Sequence, residues 1–355
     1  MRPIKALISL DAMAHNLRIA REYVDAAQVF AVVKANAYGH GLSRAVRAFS
    51  AADGFAVLTL EEAANLRMMG IRKPILLLEG VFGADEWSAC SELDVWPVLH
   101  HQAQLDWLSQ QPPARPLHVF LKLDSGMHRL GFPLASARAV IEQVRSNPSL
   151  SGLTLMTHFA QADEAAGVAW QMQPFLLQVG DTGLPLSCAN SAALLRYPET
   201  HGAWVRPGIM LYGTSPFADV SAAELGLRPA MTLRSEIIAL RTIKAGEGVG
   251  YGCLYRADRD RQIGVVACGY ADGYPRHAPT GTPVLVDGQL TRTLGRVSMD
   301  MLYVDLDGVA GAHVGTPVVL WGEGLSVDAV AAAAGTSSYE LLCALAARVP
   351  VEETA

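Results

Sequence analysis

Short apolar runs recur along the first two-thirds of the chain at intervals of about 20 to 35 residues, at 6–10, 29–33, 55–60, 75–78, 95–99, 118–123, 153–158, 186–189 and 204–206. Runs this short, rich in Val, Ile, Leu and Phe and bounded by turn residues, read as buried strands. The segments between them carry Ala, Leu and charge at helical spacing, as in 61–69 and 135–144. Asp11 is placed to cap a helix running to about residue 21. Setting aside the first run, eight strands alternating with helices predict a parallel (β/α)8 barrel of the TIM type, near its usual ~250 residues.

Alternation inside the strands assigns faces. In His118-Val119-Phe120-Leu121-Lys122-Leu123-Asp124, Val119, Leu121 and Leu123 share the face toward the helices. His118, Phe120, Lys122 and Asp124 then face the barrel interior. Thr154, Met156 and His158 face inward by the same count. An interior Lys122 needs a counter-charge or a modification, because an unpaired buried charge costs several kcal/mol.

After about Pro229 the texture changes to strand-like runs at 232–240, 263–267, 283–286, 291–294, 301–306 and 317–321, separated by Gly-rich turns. One clear helix is expected at 327–334 and another at 339–346. The expected organisation is a first strand within 1–10 that pairs with the last unit, a barrel over 11–230, and a mainly β domain over 231–355.

Composition narrows the function classes. The chain has 355 residues, 51% hydrophobic and 17% charged, with a formal charge of −6. No basic block or aromatic–basic interleaving suits nucleic acid or a membrane surface. Charged residues interrupt each apolar stretch before the ~18 residues of a spanning helix, and the N-terminus lacks a secretory pattern. The five scattered cysteines (Cys90, Cys188, Cys253, Cys268 and Cys343) form no C-x-x-C pair, which favours free thiols in the cytoplasm over disulfides or zinc. No metal site is expected.

The candidate chemistry starts at Lys34, where an apolar run ends in an ammonium followed by Tyr38 and His40. Such a lysine either reaches solvent or is meant to react, since a desolvated, neutral amine can condense with a carbonyl. Barrel enzymes place reactive groups at the C-terminal strand ends, with a phosphate site after the last two strands. On this count Lys34 follows the first barrel strand, Arg129 the fifth, His158 the sixth, Ser191 the seventh and Arg206-Pro207-Gly208-Ile209 the eighth. Taken singly, Ser191 could be a cap, Arg129 a surface ion pair and His158 a core imidazole. Together on one rim, a lysine facing a hydroxyl and a Gly-containing turn suits pyridoxal phosphate, which carries an aldehyde and a phosphate.

The segments AVVKANAYGHG, LKLDSGMHRLGF, THFAQAD, ANSAA, WVRPGIMLYG, VGYG, GYADGYPR, GRVSMDM and YELLCALAARVP resemble those of bacterial alanine racemases. The resemblance implies interconversion of L- and D-alanine with pyridoxal 5′-phosphate. Such an activity supplies D-alanine for peptidoglycan or degrades alanine. It implies that Lys34 carries the cofactor, that Tyr38, Ser191, Gly208, Ile209 and Tyr339 bind its phosphate, and that Arg206 faces the pyridine nitrogen. Arg129 would contact the cofactor and the substrate carboxylate, which the backbone near Met299 would also hold. Lys34 and Tyr251 would be the two acid–bases, with His158 linking Tyr251 to Arg206. Lys122 would be carbamylated, and Asp163, Glu164, Tyr270, Arg276, Arg296 and Asp300 would line the entrance. Because Tyr251, Met299 and Asp300 belong to the β domain, the resemblance implies a head-to-tail homodimer with shared sites. Racemisation of another small amino acid such as serine is the alternative within this chemistry. A non-catalytic pyridoxal-phosphate carrier is the alternative outside it, and such carriers typically lack the β domain.

Overall fold

The computed structural model describes residues 2–354; Met1 and Ala355, the outermost residues of the expected first and last units, lie outside the described residues. Eight parallel strands form the barrel: β2 (Gln28–Val32), β3 (Gly54–Val57), β4 (Ile75–Leu77), β5 (Trp96–Leu99), β6 (Leu117–Asp124), β7 (Leu150–Met156), β8 (Leu186–Ser187) and β9 (Trp204–Val205). They pair in the order β9-β2-β3-β4-β5-β6-β7-β8. The gap between β8 and β9 is bridged where Ala203 N–H donates to the Leu186 carbonyl at 2.8 Å and Arg206 N–H to that of Ala189 at 2.9 Å.

The lower barrel is filled by the inward residues. Phe30 stacks on Trp204 with ring centroids 4.0 Å apart, and meets Phe120 edge-on at 5.9 Å and Trp96 at 6.2 Å. His118 stacks on Trp96, and its Nε2 pairs with Thr154 Oγ1 at 2.9 Å. Each fully buried aromatic contributes about 2–3 kcal/mol by leaving water. The lower interior is therefore a packed plug in which the polar His118 and Thr154 satisfy each other, and the cavity-lining polar groups stand at the C-terminal rim. Lys122 is on this inner face and buried, while Val119, Leu121 and Leu123 take the other face and are fully buried too.

Local chemistry moved several boundaries. The first helix, Leu10–Glu22, is capped by Ser9, whose Oγ accepts from Ala12 N–H at 3.1 Å, so Asp11 sits in the first turn instead of at the cap. The run expected at 55–60 stops at Val57, because Thr59 caps a helix beginning at Leu60. A cap residue's side chain satisfies an amide that the helix itself leaves free.

The C-terminal domain is built around β10 (Met231–Ile243), which changes partners between Glu236 and Ile237, just before a bulge between Ile237 and Ala239. Its first half pairs with β15 (Pro317–Trp321) and its second half with β11 (Arg261–Val266). With β12 (Pro283–Val286), β13 (Gln289–Leu294) and β14 (Leu302–Asp305) these strands close on themselves, which leaves no open edges among them. Strand β1 (Lys5–Ser9) runs antiparallel to β10, and β16 (Val351–Thr354) runs parallel to β1. A two-residue hairpin, Gly248–Val249 with Tyr255–Arg256, presents Tyr251 at its tip. Among the described residues no helix is long and apolar enough to cross a membrane.

Candidate active site

Strand β2 ends one residue short of Val33, and Lys34 opens a turn of an unusual kind. Ala35, Asn36, Ala37 and Tyr38 have φ of 54°, 52°, 55° and 51°, four consecutive non-glycine residues in the left-handed region. Each costs about 1–2 kcal/mol relative to right-handed backbone. The turn is held by Ala37 N–H on the Val33 carbonyl at 2.9 Å and Gly39 N–H on that of Ala35 at 3.2 Å. Further along, the Asn36 side chain accepts from Leu42 N–H at 3.0 Å. Gly39 lies so close to the Leu342 carbonyl that a Cβ there would collide with it. Pattern reading of this stretch predicts only a polar loop; nothing local announces a left-handed turn.

Lys34 borders a cavity of about 520 Å³ at the C-terminal rim. Tyr38, Arg129, Ser191, Gly208, Ile209 and Tyr339 line it as well, and so do Lys122, His158 and Arg206. Sequence reasoning missed Leu58, Leu78, Glu79, Asn190 and Cys343, which line the wall with Val32, Ala35, Leu130 and Met156. Three of these, Leu58, Leu78 and Glu79, follow strands β3 and β4, and their position at strand ends was the available signal.

One end of the cavity is a cradle of hydroxyls and backbone. Gly208 N–H donates to Ser191 Oγ at 2.8 Å. A Cβ on Gly208 would stand 2.6 Å from the Tyr38 hydroxyl, so only glycine leaves this space open. Tyr38 is fixed by stacking on Tyr212 at 4.7 Å, and Tyr212 in turn donates to the Val32 carbonyl at 2.8 Å. Burial raises the pKa of Tyr38 and Tyr339 and keeps both as neutral phenols, free to donate to an anion.

The opposite side is cationic. Arg206 is buried and donates from Nη1 to Ser187 Oγ at 2.6 Å, and from Nη2 to the carbonyls of Thr157 at 2.8 Å and Cys188 at 3.2 Å. Burial pushes its pKa down to about 10, which leaves it charged near neutrality. Nη2 also approaches His158 Nδ1 at 3.3 Å. A guanidinium can only donate, so Nδ1 accepts and the imidazole proton resides on Nε2. Burial and the charges of Arg206, Lys122, Arg129 and Lys34 hold His158 well below its ordinary range, hence neutral. Burial, Arg206 and Arg129 push Lys122 down to about 8, against the pull of Asp124 and Glu79.

The remaining expected residues lie outside this cavity. Tyr251 is 70% exposed and Met299 53% exposed on the surface of the β domain. Tyr270, Arg276, Arg296 and Asp300 belong to the same domain and do not line the cavity. Arg276 lies 6.0 Å over the Tyr270 ring. Asp163 and Glu164 are exposed, with Asp163 near enough to Tyr339 to raise its pKa. Within one chain, then, one side of the site is assembled and Tyr251 is not part of it.

An amine, an anion cradle and a buried guanidinium without a carboxylate partner, all at one barrel mouth, fit a phosphate-bearing aldehyde of the size of pyridoxal phosphate. The fold and site thus define a pyridoxal-phosphate barrel with an appended β domain. The family pattern described as "Alanine racemase, N-terminal domain" matches residues 8–216, and that described as "Alanine racemase, C-terminal domain" matches 230–353. An alanine racemase of Thiobacillus denitrificans is 73% identical over 353 residues, covering 99% of this chain and 96% of the relative. A catabolic alanine racemase of Salmonella typhimurium is 51% identical, covering 99% of each. The crystal structure of a biosynthetic alanine racemase from Pseudomonas aeruginosa superposes with a TM-score of 0.98 at 51% identity over all of both chains. The chain belongs to the alanine racemase family, whose members depend on pyridoxal 5′-phosphate.

Proposed function

We propose that this protein interconverts L-alanine and D-alanine by two acid–bases acting on opposite faces of Cα. The observation that carries this reading is Arg206, a buried guanidinium whose partners are two carbonyls, a hydroxyl and an imidazole. When bound, pyridoxal phosphate supplies an aldehyde for amine condensation and a conjugated ring that accepts the electron pair released at Cα. Arg206 would face the ring nitrogen. A guanidinium does not give up its proton, so it leaves that nitrogen unprotonated and restrains the ring as an electron sink, which limits side reactions.

Tyr38, Ser191, Gly208, Ile209 and Tyr339 would hold the phosphate. Lys34 would anchor the aldehyde through its amine and, once free, take or return the Cα proton on one face. Tyr251 of a second copy would do so on the other. Its exposure in its own chain supports this assignment, because a reactive phenol at a hairpin tip is available to a neighbour. His158, neutral and bonded to Arg206, would connect that phenol to the guanidinium. Arg129 and the backbone near Met299 would hold the substrate carboxylate. Asp163, Glu164, Tyr270, Arg276, Arg296 and Asp300 would narrow the entrance in favour of a small side chain. Lys122 would carry a carbamate, whose negative charge would orient Arg129. The working form is thus a homodimer with shared sites, acting in the cytoplasm.

A chirality-resolved assay with L-alanine and L-serine tests the substrate. Alanine is expected to be the preferred substrate by a wide margin, and preference for serine would overturn the assignment. Lys34→Ala should also abolish the long-wavelength absorption of the lysine-bound cofactor; an unchanged spectrum would remove Lys34 from its role.

A further inference from the structure

Besides the stacking of Tyr38 on Tyr212, the left-handed turn after Lys34 has a hydrogen bond to a side chain well outside the segment. Thr59 and Glu62 stand in the spacing of a capping box, in which the carboxylate accepts from the cap residue's own N–H. Thr59 plays its part, accepting Glu62 N–H at 3.2 Å. Glu62 departs from the pattern. Its Oε2 accepts from Leu58 N–H at 2.8 Å, and its Oε1 accepts from Ala35 N–H at 3.0 Å. Ala35 is the residue after Lys34 and the first of the four left-handed positions. The carboxylate therefore ties the exit of β2 to the exit of β3, and both residues it grips, Ala35 and Leu58, line the cavity.

The other hydrogen bonds of the left-handed residues Ala35 to Tyr38 stay within the segment from Val33 to Leu42, while Val33 N–H, ahead of the turn, is fixed to the Ala56 carbonyl at 2.9 Å. The bonds within the segment would persist if the turn swung as a unit. A bond to a separate strand–helix junction prevents that swing, and an ionised acceptor makes it about twice as strong as a neutral one. A carboxylate serving the helix alone would have no reason to leave the Thr59 amide for a turn 27 residues earlier.

We infer that Glu62 is a positioning residue for the active-site lysine: by bridging the Ala35 and Leu58 amides it holds the left-handed turn that aims Lys34 into the cavity. Glu62 touches neither the cofactor nor the substrate in this scheme, and the inference rests on the reading of Lys34 as the cofactor-bearing residue.

The test compares full-length Glu62→Ala and Glu62→Gln with Glu61→Gln, an exposed neighbour on the same helix. Glutamine keeps one acceptor and turns its NH2 toward the other amide, so the effect should be graded. In the protein freed of cofactor with hydroxylamine, hydrogen exchange across residues 33–41 should accelerate about tenfold in Glu62→Ala and less in Glu62→Gln. Uptake of pyridoxal phosphate, followed by absorbance, should weaken about tenfold in Glu62→Ala. In the holoenzyme kcat should fall while KM for alanine stays within about twofold. Glu61→Gln should match wild type throughout. Exchange across 33–41 that is unchanged, or faster exchange with unchanged cofactor uptake, would reduce Glu62 to a helix cap and overturn the inference. If Glu62→Ala does not fold, Glu62→Gln decides by the same readings. Failure of wild type itself to take up the cofactor on Lys34 would instead sink the underlying assignment.

Discussion

Lys122 offers the most quantitative test of the site, because its burial makes charge costly there. Its amine moves from 10.5 to about 8, owing to burial and the Arg206 and Arg129 charges. At ~1.4 kcal/mol per pH unit, keeping the ammonium in the fold costs about 3 kcal/mol near neutral pH. Because the folded value lies below the unfolded one, the unfolded chain binds more protons between about pH 8 and 10.5, and stability rises with pH across that window. Lys122→Met removes the charge and keeps most of the volume. In buffer free of carbon dioxide at about pH 7, Lys122→Met should therefore melt about 5 °C above wild type, and the two should converge near pH 10.5. The same shift raises the share of neutral amine at about pH 7.5 from roughly one in a thousand to about one in four. That neutral nitrogen can attack carbon dioxide, forming an N–C bond and releasing a proton to water. Adding 13C-bicarbonate should then give a carbamate resonance in wild type, absent from Lys122→Met, and should narrow the gap in melting temperature. Equal melting of the two proteins without carbon dioxide, or a gap that persists at high pH, would refute the reasoning.

Two further outcomes follow. Mixing inactive Lys34→Ala and Tyr251→Phe chains should restore about one quarter of wild-type activity, since half the dimers are hybrids and each hybrid has one intact site; no recovery, with hybrids shown by mass spectrometry, would argue against a shared site. Asp272 is fully buried and accepts from Arg2 at 2.7 and 3.0 Å, from Arg348 at 2.7 Å and from Gly269 N–H at 2.9 Å. Burial by itself would raise its pKa, but these bonds outweigh it and hold the carboxyl below its ordinary value. Its contribution should thus be intact above about pH 4 and fade as the pH falls through the depressed value. Asp272→Asn should cost about 2 kcal/mol in urea unfolding at neutral pH, reduced from a fully buried pair by the exposure of both arginines; an unchanged midpoint would show that the network is dispensable.

The parts of the fold that were legible from the chain are those whose signals are local. Period-2 alternation in 118–124 and 153–158 assigned Phe120, Lys122, Thr154 and Met156 to the barrel interior before any packing was known. The eight barrel strands fall where the apolar runs do, and the helix Val327–Ala334 and the strands Pro283–Val286 and Pro317–Trp321 have the expected ends. Errors collect where a side chain competes with a neighbour for the same amide. Ser9 took the cap expected of Asp11, and Thr59 cut short a strand expected to reach residue 60. The two-residue hairpin around Tyr251 and the parallel strand Val351–Thr354 left no pattern long enough to read, because their stability comes from distant partners.

By itself, then, the sequence determined the barrel, the β domain and the rim on which reactive groups would sit, since strand period and strand end are properties of neighbouring residues. Only the tertiary structure decided the chemistry of that rim. It set Lys34 on a left-handed turn that Ala, Asn and Tyr would not adopt unaided, secured from the helix at Glu62 and crowded by the Leu342 carbonyl. It also lowered Lys122 to about 8 by burying it and by bringing Arg206, distant along the chain, to stand with nearby Arg129 against it. And it left Tyr251 on the outer surface, because a single chain supplies neither the contacts nor the geometry to bring that hairpin to its own cavity.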